Sequence, residues 1–412
     1  MAERQYCYLD WAATSPLRDE VAQFLRAHEQ GLGGSGEAWL SEEDCIQANA
    51  NSLHTPGRNA FKALEEARLR VAGSLGLKNP HEIVFCSGAT EANNSIIWGS
   101  VLAAQKEARL KGIANFTPHI ITTSIEHDSV LAPLRYLHPL IAEVSFVAPN
   151  ADGFVSPEAL SQELRPETIL VSVMCVNNEI GVVQDIKHIV EKVKAYKNLL
   201  GKSPLMHSDM VQALGKISCN LGSLQLDAAS FSGHKIQGPK GVGMLYLSKS
   251  AAVEPFMRGG GQELNRRSGT QPVIPICAFA KALELACLEQ EQCEARLRSL
   301  RDYLYEKLEA LGAQKTVSCP QGSSCFAPHI VNVLFEGVET QLLILQLDRR
   351  GFAVSGGSAC SSSSLEASHV LKALNLKGDK ALGSLRISFG ADTTKEDLDS
   401  FISTLAEVLK DL

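Results

Sequence analysis

From about residue 60 to 250, short runs of almost wholly apolar, β-branched residues alternate with longer stretches whose apolar positions recur at helical spacing. The apolar runs predict strands at 82–86, 119–123, 143–147, 169–176, 205–208, 228–232 and 242–247. Several are apolar at nearly every position, as strands covered on both faces are. Between them the pattern predicts helices over 93–110 and 186–196, and a turn and helix after Ser129. Strand and helix in alternation predict an α/β layer built on a mostly parallel sheet.

After Leu247 the pattern changes. Gly259-Gly-Gly261 predicts a corner, and a long helical stretch runs from about 275 to 311. Strands near 330–334 and 385–389 and a closing helix over 395–409 predict a smaller α+β domain. Residues 355–364 hold six serines, two glycines and one cysteine, a linker composition. No internal repeat interrupts the scheme.

Composition narrows the classes. The chain has 412 residues, 45% hydrophobic and 21% charged, which is ordinary for a soluble globular protein of two or three domains. A net charge of −7 argues against a nucleic-acid-binding surface. No apolar run reaches membrane-spanning length, and residues 1–11 have neither a signal-peptide core nor a transit-peptide composition, so cytoplasmic residence is expected. Among 11 cysteines there is no Cys-x-x-Cys pair. Ten of them (Cys7, Cys45, Cys86, Cys175, Cys219, Cys277, Cys287, Cys293, Cys319 and Cys325) read as small buried hydrophobes in a reducing compartment.

Cys360 differs, lying in the polar 355–364 stretch where burial does not explain it; Gly356-Gly357 and the serines would give a thiol nucleophile its reach. Lys235, among Ser, His and Gly, has the setting of a lysine that forms an imine with pyridoxal phosphate. Asp209 ends an apolar strand, where it would either keep a pyridine nitrogen protonated or cap the next segment. Gln212, three residues on, would reach the ring's phenolic oxygen. His127 reads as a loop or cap histidine, or as one that stacks on a cofactor and moves protons. Residues 83–91 read as strand, small-residue turn and helix start, with the amides of Ala89 and Thr90 placed for a phosphate. Asn177, Asn178 and Glu179 follow an apolar strand as a turn or a polar ligand contact. Arg386, inside an apolar strand pattern, needs an internal acid or a substrate carboxylate.

Eight ordered motifs then carry a resemblance over almost the whole chain. They are Tyr8-Leu-Asp-Trp-Ala-Ala-Thr-Ser-Pro16, Ser87-Gly-Ala-Thr-Glu91, Glu126-His127, Val176-Asn-Asn-Glu-Ile-Gly181, Asp209-x-x-Gln212, Ser232-Gly-His-Lys235, Arg267-Ser-Gly-Thr270 and Ser358-Ala-Cys360. The chain resembles the cysteine desulfurases of the NifS/IscS type, pyridoxal-phosphate enzymes of aminotransferase class V and fold type I. The resemblance implies a large domain over 17–288 with a seven-stranded, mostly parallel sheet. A small domain over 289–412 would carry the cysteine loop, with residues 1–16 packed on it.

It also implies roles: Lys235 holds the cofactor as an internal aldimine, His127 and Val211 cover the two ring faces, Asp209 pairs with the pyridine nitrogen and Gln212 with the phenolic oxygen. Ala89, Thr90, Ser232, Gly233 and His234 belong to the cofactor site, largely at its phosphate, and Thr270 reaches the phosphate of a neighbouring subunit, so a homodimer is implied. Asn178 lies near the ring, and with Arg386 holds the L-cysteine substrate. Cys360 takes the sulfur as a persulfide and leaves alanine, for delivery to an acceptor protein of iron–sulfur assembly or tRNA thiolation.

The departures are Met210 at a position usually alanine, Ala48-Asn-Ala-Asn-Ser52 for the usual Gly-Asn-Pro-Ser, and the Gly-rich 31–36 stretch. The chain ends at Leu412, without the longer tail of scaffold-docking members. Selenocysteine lyase, a plain class-V aminotransferase and a non-catalytic sulfur-trafficking protein are the competing expectations.

Overall fold

A computed structural model describes residues 6–29, 46–357, 368–376 and 382–412. Cys45, the 31–36 stretch and Cys360 lie outside the described residues. In chain order the strands are β1 (Cys7–Tyr8), β2 (Ile83–Cys86), β3 (His119–Thr123), β4 (Glu143–Val147), β5 (Thr168–Ser172), β6 (Leu205–Asp209), β7 (Ala228–Ser232), β8 (Gly243–Leu247), β9 (Gln314–Lys315), β10 (Ile330–Leu334), β11 (Phe352–Ala353) and β12 (Ser384–Ser388).

Seven of them form one sheet in the order β2-β8-β7-β6-β5-β3-β4. Pairing is parallel from β4 through β3, β5 and β6 to β7, whereas β8 runs antiparallel to both β7 and β2. Two reversals restore the direction, so β2 points the same way as β7. The carboxyl ends of β2, β3, β5, β6 and β7 therefore share one rim, where ligands bind in open α/β sheets. β2, β3, β5, β7 and β8 are buried at every position because helices cover both faces.

Strands were expected at 119–123, 143–147 and 228–232, and they stand at those bounds. The 169–176 strand is shorter: regular pairing stops at Ser172, although Val173 and Cys175 still donate to the carbonyls of His207 and Asp209. Those bonds carry the chain over the rim. The helix expected over 93–110 starts earlier, at Ala89, because Gly88 can take the required φ of +153°. The long stretch at 275–311 is two helices, Val273–Leu288 and Gln290–Ala310. They part at Glu289 (φ −93°, ψ −2°), whose carboxylate is held by Arg18 at 2.6 and 2.8 Å. The first, apolar except for Lys281 and Glu284, packs against the helices Thr55–Ser74 and Asp19–Glu29; the second packs on β10.

One expectation about the thiols is corrected. Cys325 is exposed, since it sits in the turn Gly322-Ser-Ser-Cys325 rather than in an apolar run, and Cys7, Cys219, Cys287 and Cys293 are only half-buried. Met210 fits the core: it is buried, and its amide donates to the Ser230 carbonyl.

A left-handed turn lies just before the Arg267–Thr270 motif. Glu263, Leu264 and Asn265 have φ of 49°, 57° and 63°, a conformation costing about 1–2 kcal/mol per non-glycine residue. It is held by the Glu263 carboxylate, which accepts both guanidinium nitrogens of buried Arg68 at 2.8 and 2.9 Å and the Phe85 amide of β2 at 2.9 Å. Glu263→Ala leaves buried Arg68 with the Glu65 carboxylate, 3.0 Å from its Nε, as its counter-charge, so a loss of about 2–3 kcal/mol is expected. Urea unfolding of the two proteins checks this; a change under 1 kcal/mol contradicts the assignment.

Candidate active site

The shared rim opens into a cavity of about 490 Å³. Its floor comes from the segments that leave the strands: Ser87–Glu91 after β2, His127 and Ser129 after β3, Met174, Val176 and Asn178 after β5, Asp209, Val211 and Gln212 at β6, and Ser232, His234 and Lys235 at β7. Arg386 of β12 and Ala12, Ala13 and Thr14 close it from the other side. Of the residues singled out in the sequence, Ala89, Thr90, His127, Asn178, Asp209, Val211, Gln212, Ser232, His234, Lys235 and Arg386 line this one cavity. Gly233 is buried in the turn beneath it, and Thr270 is exposed away from it.

Lys235 ends the short 3-10 helix Gly233–Lys235, which swings its side chain back across the rim. Its Nζ donates to the carbonyls of Ala12 at 2.7 Å and Ala13 at 2.6 Å. His234 is bonded through Nδ1 to the Thr14 hydroxyl at 3.0 Å, and burial, with Lys235 and Lys240 nearby, lowers its pKa to about 4. It is therefore neutral at pH 7.

Asp209 is fixed from two directions. Its Oδ2 accepts from Asn93 at 2.8 Å and its Oδ1 from the Val211 amide at 3.0 Å. Asn93 also donates to Ser129, whose hydroxyl meets His127 Nδ1 at 2.8 Å. His127 thus caps the helix Asp128–Leu137 and still faces the cavity, so the cap and cavity roles coexist. Arg386 is buried; its Nη2 donates to Asp10 at 2.8 Å and its Nη1 to the Asn178 carbonyl at 2.9 Å. Its Nε has no hydrogen-bond partner among the described residues.

The donor set suits a phosphorylated pyridine aldehyde. Gly88 and the amides that follow it open a 22-residue helix, where a phosphate is favoured, and a Cβ at Gly88 would sit 3.6 Å from the Ser232 hydroxyl. A primary amine, an anchored carboxylate and an imidazole complete the set.

Comparison with known proteins settles the family. A class-V aminotransferase model matches residues 7–401. The chain belongs to that family. Within this aminotransferase family it is 39% identical over 405 residues to a cysteine desulfurase IscS of Dictyoglomus turgidum, covering 98% of this chain and 95% of the relative. A putative cysteine desulfurase IscS 1 of Bacillus subtilis is 36% identical, with 98% and 99% covered. Among solved structures, a NifS-like protein superposes with a TM-score of 0.84 at 33% identity, covering 99% and 100%. A structure described as SspA in complex with cysteine superposes at 0.75 and 29% identity, covering 93% and 99%. The fold is that of the class-V aminotransferases, pyridoxal-phosphate fold type I.

The sequence reading missed several supports of this class-V site. Asn93 and Ser129 hold Asp209 and His127; a buried Asn on the helix Ala89–Leu110 was the available signal. Asp10 was hidden in a motif and is the acid that Arg386 requires. Glu126, directly beneath the site, is fully buried; it accepts from Thr123 at 2.7 Å and the Met174 amide at 2.8 Å. Burial, helped by the charge of Asp209, pushes its pKa up to about 8.

The unfolded carboxyl releases its proton near 4.5, so between about 4.5 and 8 the folded state keeps a proton that the unfolded state has lost. The stability from this group is complete below that window, declines across it and is gone above. Glu126→Gln cannot titrate. Between pH 6 and 8.5 the melting temperature of the wild type is expected to fall at least about 2 °C further than the variant's. Parallel curves would show that Glu126 is already ionised at pH 6.

Proposed function

We propose that this class-V aminotransferase is a cysteine desulfurase working from the rim cavity, with Cys360 as sulfur acceptor. The observation that carries the reading is the convergence of Lys235, Asp209, His127 and Arg386 on one cavity, in a chain 39% identical to an IscS. Pyridoxal 5'-phosphate is the cofactor; when bound, it supplies an electron sink beside the substrate's α-carbon.

The chain's own residues supply the rest. Lys235 would hold the cofactor covalently, and its amine is the group placed to move a proton at the substrate. Asp209, locked by Asn93 and the Val211 amide, would keep the ring nitrogen protonated, His127 and Val211 would cover the ring, and Gln212 would donate to the phenolic oxygen. Ala89, Thr90, Ser232 and His234 would take the phosphate end, while Gly233, its amide bonded to the Val242 carbonyl, shapes the turn beneath them. Arg386 and Asn178, which line the cavity, would hold the substrate carboxylate.

The Cys360 thiolate forms a bond to the substrate's sulfur as the carbon–sulfur bond breaks. That electron pair stays on the β-carbon, which gains a proton and departs as part of alanine, leaving a persulfide. Four of the described thiols are poor alternatives: burial pushes Cys7, Cys86, Cys175 and Cys277 to about 12, so they keep their protons at neutral pH.

Thr270, exposed beyond the left-handed turn, is suited to a neighbouring subunit's phosphate, which makes the working form a homodimer. The described cysteines are free thiols, which fits a reducing compartment, and cytoplasmic residence is part of this reading. The persulfide would pass to an acceptor protein of iron–sulfur assembly or thiolation. The test is an absorption spectrum of the purified protein with pyridoxal phosphate, before and after L-cysteine, with alanine and sulfide assayed. A visible band that shifts with cysteine and yields both products is expected. A band with no alanine would move the assignment to another amino acid.

A further inference from the structure

His329 lies under the cavity floor and does not line it. It precedes β10, is fully buried, and its carbonyl accepts from the Phe389 amide, so the sheet of β10 and β12 fixes its position. Its Nε2 meets Gln212 Oε1 at 3.1 Å, while its Nδ1 has no hydrogen-bond partner among the described residues. On the far side of the amide, Gln212 Nε2 donates to the Ala12 carbonyl at 2.9 Å. That carbonyl is also one of the two acceptors of Lys235 Nζ.

We propose that His329 is a positioning residue that fixes the side-chain amide of Gln212, and through it the hydrogen bonding of the cofactor's phenolic oxygen.

The imidazole must be neutral. Burial drives its pKa well below the ordinary value, and three cations, Lys216, Arg386 and Lys235, add to the effect. A neutral imidazole carries one N–H, and only Nε2 has an acceptor, so the hydrogen sits there. Donation to Oε1 then excludes the flipped amide, which would set an N–H against an N–H. With Oε1 committed to His329, both Gln212 N–H bonds point to the Ala12 side, one to that carbonyl and one left for the cavity. With an apolar residue at 329 the amide would keep only its bond to the Ala12 carbonyl, an acceptor shared with Lys235 Nζ, and the N–H left for the cavity would be less firmly aimed. The contact also joins three distant parts of the chain, residue 12, residue 212 and residue 329, at one point.

The inference rests on the pyridoxal-phosphate reading and deepens it, and its test separates the two. Wild type, His329→Leu, Gln212→Leu and the double variant are each loaded with pyridoxal phosphate, and the visible band is titrated with pH. A donor on the phenolic oxygen favours the deprotonated chromophore, so losing it raises the midpoint. His329→Leu is expected to raise it by about 0.5 to 1 pH unit, the size of one hydrogen bond, and as far as Gln212→Leu does. The double variant is expected to match Gln212→Leu alone, because the histidine acts through the glutamine. His329→Gln, which keeps a donor, should return the midpoint toward wild type.

A midpoint unmoved by His329→Leu, or shifts that add in the double variant, would overturn the proposal. Should His329→Leu not fold, His329→Phe, closer in shape and lacking the donor, carries the same comparison. A wild type that develops no band would overturn the cofactor reading and this inference with it; a normal wild-type band with unmoved variants overturns the inference alone. A packing role by itself would lower the melting temperature without displacing the titration.

Discussion

Lys235→Ala is expected to take up pyridoxal phosphate without its covalent band and to lose at least about 10³-fold of its cysteine turnover. Two separate contributions go with the amine. One is the covalent attachment that holds the cofactor against the rim; the other is the base that moves the substrate proton, which general acid–base catalysis alone makes worth about 10² to 10⁴-fold. The fold should survive, because the side chain bonds to the carbonyls of Ala12 and Ala13 at the cavity wall rather than within the core. Absorbance, thermal melting and alanine release on one preparation check all of this. Turnover within tenfold of wild type would remove Lys235 from the centre of the chemistry.

Cys360→Ser carries the second large effect, of a different kind. The variant should bind the cofactor normally and still show the spectral change on adding cysteine, since Lys235, Asp209, His127 and Arg386 are unchanged. Alanine formation should fall by at least about 10²-fold, because a hydroxyl near neutral pH is a far weaker nucleophile toward sulfur than a thiolate. Assaying L-cysteine and L-selenocysteine side by side extends the test. Loss with both amino acids places Cys360 in the shared chemistry. Retained turnover of selenocysteine alone would favour the lyase, and retained turnover of cysteine would end the persulfide mechanism.

Much of the architecture was legible because most strands of the large sheet are short, β-branched or apolar stretches bounded by polar or small residues. β3, β4 and β7 could be read to the residue. The break at Glu289 could not, since the helical spacing continues through it and the event is an ion pair with Arg18, far away in sequence. At the site, residues that face the cavity were readable through motifs. Their supports were less so. Asp10, Asn93 and His329 act through partners more than a hundred residues distant, at Arg386, Asp209 and Gln212, and no local pattern encodes those pairs. The left-handed turn at Glu263 was equally hidden, since non-glycine residues give no sign of positive φ.

The cavity wall that closes over the rim comes from distant parts of the chain: Ala12 and Ala13 from one, Arg386 from the other, with His329 beneath the floor. On the ribosome, a chain that has emerged as far as Leu247 can form all seven strands of the large sheet, yet it lacks the arginine and the histidine. The order of synthesis therefore separates folding of the platform from completion of the chemistry. Cofactor captured early would meet a half-built pocket open to water, and only the release of the last segment, with Ser384–Ser388 paired to Ile330–Leu334, turns that platform into a closed chamber.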